Sequence, residues 1–157
     1  MKKHSWLHAV LILAVLTCAL LIFFFSSQGG EVSDQTSAGF VNAALAVFRP
    51  DYPTLPEEEQ LVIYEQFNFI VRKTAHFIEF SLLGFLLRLM LNFHRIKLRG
   101  ATAWLLGTLY AGTDEWHQFL GGDRTASIRD VCIDSAGVLF GCLLAAYLYI
   151  RCAKNKE

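Results

Sequence analysis

The sequence predicts an all-α membrane protein with four transmembrane helices, over about residues 5–25, 73–93, 101–120 and 127–150, and both termini in the cytoplasm. Three observations carry that expectation. The 157-residue chain is 54% hydrophobic and 18% charged, with a mean hydropathy of +0.40, a balance typical of membrane chains. Its apolar runs approach the ~20 residues that cross a bilayer core. Its cations collect on one side of those runs: Lys2, Lys3, Arg95, Lys97, Arg99, Arg151, Lys154 and Lys156 share a side, which the positive-inside rule makes cytoplasmic. The length fits a single domain over residues 1–157. A net charge of zero gives nucleic acid no electrostatic foothold, so it is not an expected partner.

The first span, Ser5 to Phe25, carries one His and no formal charge. A cleaved signal peptide is the competing reading, but the apolar run exceeds the usual ~7 to 15 residues and ends in Phe23-Phe24-Phe25 without a small-residue cleavage site. A retained span is expected. Residues 26–72 form an extracytoplasmic loop. In Ser26 to Gln60, Gly29, Gly30, Pro50, Pro53 and Pro56 supply turns, and six acids stand against Arg49. Within it, Gly39 to Phe48 is apolar but too short to span, so a small interfacial helix is expected. Thr54, Pro56 and Glu57-Glu58-Glu59 mark a helix start: a capping oxygen, a first-turn proline, and acids at the positive end of the dipole.

From Leu61 to Phe93 the chain is largely apolar, roughly 50 Å as one helix, longer than a bilayer core. Arg72 and Lys73 are expected to mark the membrane boundary, with Leu61 to Val71 as an amphipathic lead-in. Arg88, near the other end, can snorkel. His94 to Gly100 is a basic loop before the third span, and Gly121 to Ala126 a short loop before the fourth. The four cysteines, Cys18, Cys132, Cys142 and Cys152, lack paired spacing and read as structural.

The third span ends in Asp114-Glu115-Trp116-His117-Gln118. Ionisable groups in hydrocarbon cost a few kcal/mol or more and usually face a protein interior or wet cavity. In a four-span topology this cluster lies near the outer boundary, level with Lys73, His76 and Glu79 on the second span and Asp130 and Asp134 on the fourth. Lys73, His76 and Phe80 share one face. So do Asp114, His117 and Gln118, whereas Glu115 is turned by about 100° and is expected at an edge or paired elsewhere. Asp130 and Asp134 continue as Gly137 and Gly141, a GxxxG stripe that invites close approach of another helix, including one from a second copy.

Such a concentration is more than packing requires and points to a functional site. Three chemistries fit. His76, His117 and Asp114, with the other carboxylates, include ligand types for a divalent metal. His117 with a carboxylate forms an acid/base pair, Lys73 and Arg124 gripping an anion. Or the pocket binds without chemistry. The catalytic candidates are His76, Glu79, Asp114, Glu115, His117, Asp130 and Asp134; the substrate-binding candidates are Lys73, Gln118 and Arg124.

Lys73-x-x-His76, Asp114-Glu115-x-His117-Gln118, Gly122-x-Arg124 with Ser127-x-x-Asp130, and Asp134-x-x-Gly137, together with Phe25-Ser26-Ser27-Gln28, resemble the VanZ-like family of small bacterial membrane proteins. The resemblance implies a multi-pass protein of the bacterial plasma membrane and a link to low-level resistance to the glycopeptide teicoplanin. Members often carry Pro-Gly-Arg where this chain has Gly121-Gly122-Asp123-Arg124, so Asp123 stands beside the expected anion clamp. The leading expectation is an outward-facing pocket that binds, or acts on, a membrane lipid or lipid-linked envelope precursor. The alternative is a non-enzymatic helper that assembles with envelope proteins, the charged cluster being a clasp. A transporter is the weaker third reading, since four spans without repeats enclose little pathway.

Overall fold

The computed structural model describes residues 5–28, 30–93, 96, 98–120 and 127–154. These form five α-helices, α1 (Ser5–Ser26), α2 (Gly30–Phe48), α3 (Glu57–Leu91), α4 (Arg99–Leu120) and α5 (Ile128–Lys154), with a 3-10 turn at Tyr52–Thr54. There is no strand among the described residues. Three helices are long and apolar enough to cross a membrane: Trp6–Ser26, Glu57–Leu91 and Ile128–Cys152. At 22 residues α4 matches α1 in length, but its last two turns carry Asp114, Glu115, His117 and Gln118. Its C-terminal end is polar because it faces other helices, with Asp114 and Glu115 buried.

Helix α3 is the hub, packing against all four of the others. Its tightest partner is α5, and small residues set that approach. A Cβ on Gly137 would lie 2.6 Å from the Phe77 carbonyl oxygen, and one on Gly141 would collide with the Ser81 carbonyl. Across the same seam a Cβ on Gly84 would strike the Val138 backbone. The Gly137/Gly141 face packs against α3 of the same chain. A glycine stripe permits backbone contact but does not specify whose backbone.

Phe80 and Val138 are fully buried at the centre, with Ile22 and Ala111 beside them. Side-chain hydrogen bonds fix the neighbours. Tyr110 Oη donates to the Ala19 carbonyl at 2.6 Å, tying α4 to α1. Trp104 Nε1 donates to Ser135 Oγ at 3.0 Å, and Thr108 Oγ1 is 2.8 Å from the same oxygen, tying α4 to α5. Leucines and phenylalanines elsewhere on the helices are exposed, as hydrocarbon-facing surfaces are.

Two local expectations are corrected. The segment over 26–72 is mostly helical, and α2 is nearly twice the length of the apolar Gly39 to Phe48 stretch. Its buried stripe is Ser37, Val41 and Leu45, spaced by four, and Ser37 Oγ donates to Asn68 Oδ1 on α3 at 2.7 Å; a polar residue in the stripe hid its first turns. Helix α3 runs unbroken through Arg72 and Lys73 for 35 residues, so the lead-in and the second apolar stretch are one helix. Thr54 does not cap α3. Its hydroxyl donates to the Asp51 carbonyl within the 3-10 turn at 2.7 Å, and Pro56 stands at the N-cap without a side-chain bond. The acids Glu57, Glu58 and Glu59 do fall in the first turn.

Just before α3, Arg49 pairs with Asp51 at 2.9 Å. The guanidinium holds the Asp51 carboxyl below its ordinary range, and that carboxylate in turn raises Arg49. All four cysteines are free, Cys18 and Cys142 buried and Cys132 and Cys152 exposed.

Candidate functional site

The polar groups of α3, α4 and α5 are held in three sets. On the α3/α5 seam, Lys73 Nζ lies 2.5 Å from Asp130 Oδ2. One turn deeper, His76 Nδ1 is 3.9 Å from Asp134 Oδ1, within electrostatic reach but beyond hydrogen-bond length. The i, i+3 spacing on α3 faces the i, i+4 spacing on α5, so each residue meets its counterpart at matching depth. Phe69 completes the outer rim, with Lys73 Nζ 5.6 Å and the Arg129 guanidinium 5.3 Å from its ring, both within cation–π range.

A second set joins α1 to α4. Ser26 Oγ donates to Asp114 Oδ2 at 2.7 Å, and Gln118 Nε2 donates to the same oxygen at 2.9 Å. Gln118 Nε2 also lies 3.1 Å from Ser26 Oγ. Asp114 is 3% exposed, so these donors offset a desolvation cost that an unpaired carboxylate would pay in full.

Glu115 forms the third set. Its Oε1 accepts from the Ser127 backbone N–H at 2.7 Å, at the start of α5. The first N–H groups of a helix lack intrahelical partners and carry partial positive charge, so a buried carboxylate is well matched to that end. Its partner thus differs from those of Asp114.

His117 meets α1 as Asp114 and Gln118 do. Its ring packs on Phe23 of α1 with centroids 4.5 Å apart. Arg124 and Asp123 lie outside the described residues. Among the described residues, no three His, Cys, Asp or Glu side chains converge to hold a metal ion.

A cavity of about 250 Å³ opens between the end of α1, α2 and α3, lined by Gln28, Ser37, Arg72, His76 and Glu79 among others. His76 belongs to both regions, its ring beside the cavity and its Nδ1 towards Asp134, with Phe80 stacked at 6.4 Å. A groove of about 480 Å³ runs between α1 and α3, lined almost wholly by apolar side chains. The two volumes share Phe25 and Glu79.

Sequence reasoning singled out His76 and Glu79 but missed Ser26, Gln28, Ser37 and Arg72 as parts of the site. The signal for Ser26 and Gln28 is the run Ser26-Ser27-Gln28 directly ending an apolar span. Arg72 was read as a boundary marker, and Ser37 sits in a segment read as loop.

A family model described as VanZ/LLP1 matches residues 10–149. No curated protein and no solved structure matches the chain.

Proposed function

The chain belongs to the VanZ/LLP1 family, and from that premise we propose that it is a multi-pass protein of the bacterial plasma membrane whose α1/α2/α3 cavity, facing outward, takes the head group of a membrane lipid or lipid-linked envelope molecule. The single observation that carries this reading is the meeting, at Phe25 and Glu79, of an apolar groove with a cavity of mixed lining that holds Arg72, His76 and Glu79. An amphiphile needs that combination, and a water-soluble ligand does not. Outward orientation is supported by the cytoplasmic side of the Lys and Arg clusters, with α4 as the fourth crossing. Low-level teicoplanin resistance would follow from altered lipid-linked material at the outer face.

In this reading the charged residues divide by task. Lys73 with Asp130, Asp114 with Ser26 and Gln118, and Glu115 with the α5 N-terminus hold the frame. His76 and Glu79 face the ligand, and His76, with Asp134 behind it, is the group placed to accept a proton from a head-group hydroxyl. A second reading is favoured by the same internal pairs: a clasp in a non-enzymatic helper that meets envelope proteins through α2.

The test compares membrane lipids and envelope precursors, and teicoplanin susceptibility, in cells carrying wild type, His76→Gln, or Val47→Ala on the exposed face of α2 and away from the cavity. Under the head-group reading His76→Gln changes at least one lipid-linked species at unchanged protein abundance, and Val47→Ala changes none. An unchanged profile in His76→Gln, with loss of susceptibility change only in Val47→Ala, would reject it in favour of the helper.

A further inference from the structure

The geometry points to a single-chain phospholipid as the occupant, its one acyl chain lying in the α1/α3 groove and its phosphate at Arg72. This rests on the head-group reading above and narrows it to one class of lipid.

The groove fits one chain in length. Its α1 wall runs from Val10 to Phe25 and its α3 wall from Glu79 to Leu86, about 22 Å and about 10 Å at the helical rise. Half of a ~30 Å hydrocarbon core lies between those lengths. Val10, Leu13, Ala14, Thr17, Leu21 and Phe25 recur at helical spacing, so the α1 wall is a continuous stripe rather than a set of dents. The floor is closed by Cys18 and Ile22, which are buried against α3.

Chemistry orders the rest of the ligand. Glu79 stands where groove becomes cavity, and a carboxyl group there suits a neck that carries a hydroxyl. Arg72 lines the cavity beyond it, with Gln28 and Ser37 as neutral hydrogen-bonding groups. A guanidinium is matched to phosphate oxygens in charge and in the geometry of its donors. Acyl chain, free hydroxyl and phosphate, in that order, describe a monoacyl glycerophospholipid. A diacyl lipid has its neck hydroxyl esterified and brings a second chain for which the groove has one track. A polyprenyl phosphate has no neck hydroxyl for Glu79.

The test places the full chain in phosphatidylcholine nanodiscs doped with equal amounts of monoacyl phosphatidylglycerol, diacyl phosphatidylglycerol and polyprenyl monophosphate, and reads the retained lipid by native mass spectrometry. Monoacyl phosphatidylglycerol is expected to be retained at least about tenfold over the other two. Arg72→Gln should cut its retention by about tenfold, the effect of losing one charge-assisted hydrogen bond. Ala14→Trp, which fills the groove without touching the cavity, should do the same, and Leu105→Trp, on the exposed face of α4, should not. Equal loss in Ala14→Trp and Leu105→Trp, or equal retention of all three lipids, identifies ordinary surrounding lipid and overturns the inference. Retention of the diacyl or polyprenyl lipid in an Arg72-dependent way overturns the single-chain assignment but leaves the head-group reading standing. Retention of none of the three removes both.

Discussion

Ser26 ends an apolar helix, yet its hydroxyl donates to Asp114, 88 positions along the chain. With a buried carboxylate as acceptor, losing that donor removes one of the groups that compensate its charge beside Gln118, at a cost of ~1–3 kcal/mol. Ser26→Ala should therefore lower thermal stability in detergent clearly, whereas Ser27→Ala, whose exposed hydroxyl bonds only the Phe24 carbonyl, should barely move it. Equal effects would mean that the Ser26 bond is dispensable. The Lys73 and Asp130 pair is tested by exchange. Both side chains are about one-fifth to one-quarter exposed (24% and 21%), so each single substitution strands a largely desolvated charge, and the swap Lys73→Asp with Asp130→Lys should recover part of the loss. A double-mutant cycle in unfolding free energy should give a coupling of roughly 1–2 kcal/mol; a value near zero would make the pair incidental. These residues were legible as a group because polar side chains in hydrocarbon are costly. Their pairings were not, since helical angle gives a face but not the neighbour it meets. His117 shows the limit: its ring lies on Phe23 of α1, on the side where Asp114 and Gln118 meet Ser26, a neighbour that spacing alone does not name.

At the scale of helices, the α3/α5 seam sets the site's precision. Two backbones in contact admit no side chain at Gly141, where a Cβ would meet the Ser81 carbonyl and lie 2.8 Å from the Phe85 amide nitrogen. Gly141→Leu should separate the helices and cost at least ~1–3 kcal/mol, read as a lower unfolding temperature and a lower folded yield. Gly39→Ala, with nothing within 4 Å, is the matched control and should be neutral or slightly stabilising through helix propensity. If both behave alike, close approach does not matter to the fold. Helix α2 teaches a related point. Its Ser37, Val41 and Leu45 stripe is a period-four pattern, but one of the three is polar and is satisfied by Asn68 of another helix. A hydropathy reading removes such a residue from the stripe, and a tertiary partner restores it.

For the whole molecule, topology is the property that the cation distribution argues and that labelling can measure. With the termini inside, Thr54→Cys in the 3-10 turn should react with a membrane-impermeant maleimide on intact cells, and Lys154→Cys at the end of α5 should react only after permeabilisation. The reverse pattern would invert the protein and turn the cavity inward. The amino-acid order by itself determined the all-α class, the span-length apolar runs and the small set of polar residues that cannot rest in lipid, because burial cost and helical period act locally and are written along the chain. Only the tertiary structure decided which of those residues pair with each other and which face a cavity. That choice depends on the packing of the other four helices around α3, where a glycine seam turns α5 inward and leaves α1 and α2 to wall the cavity beside His76 and Glu79.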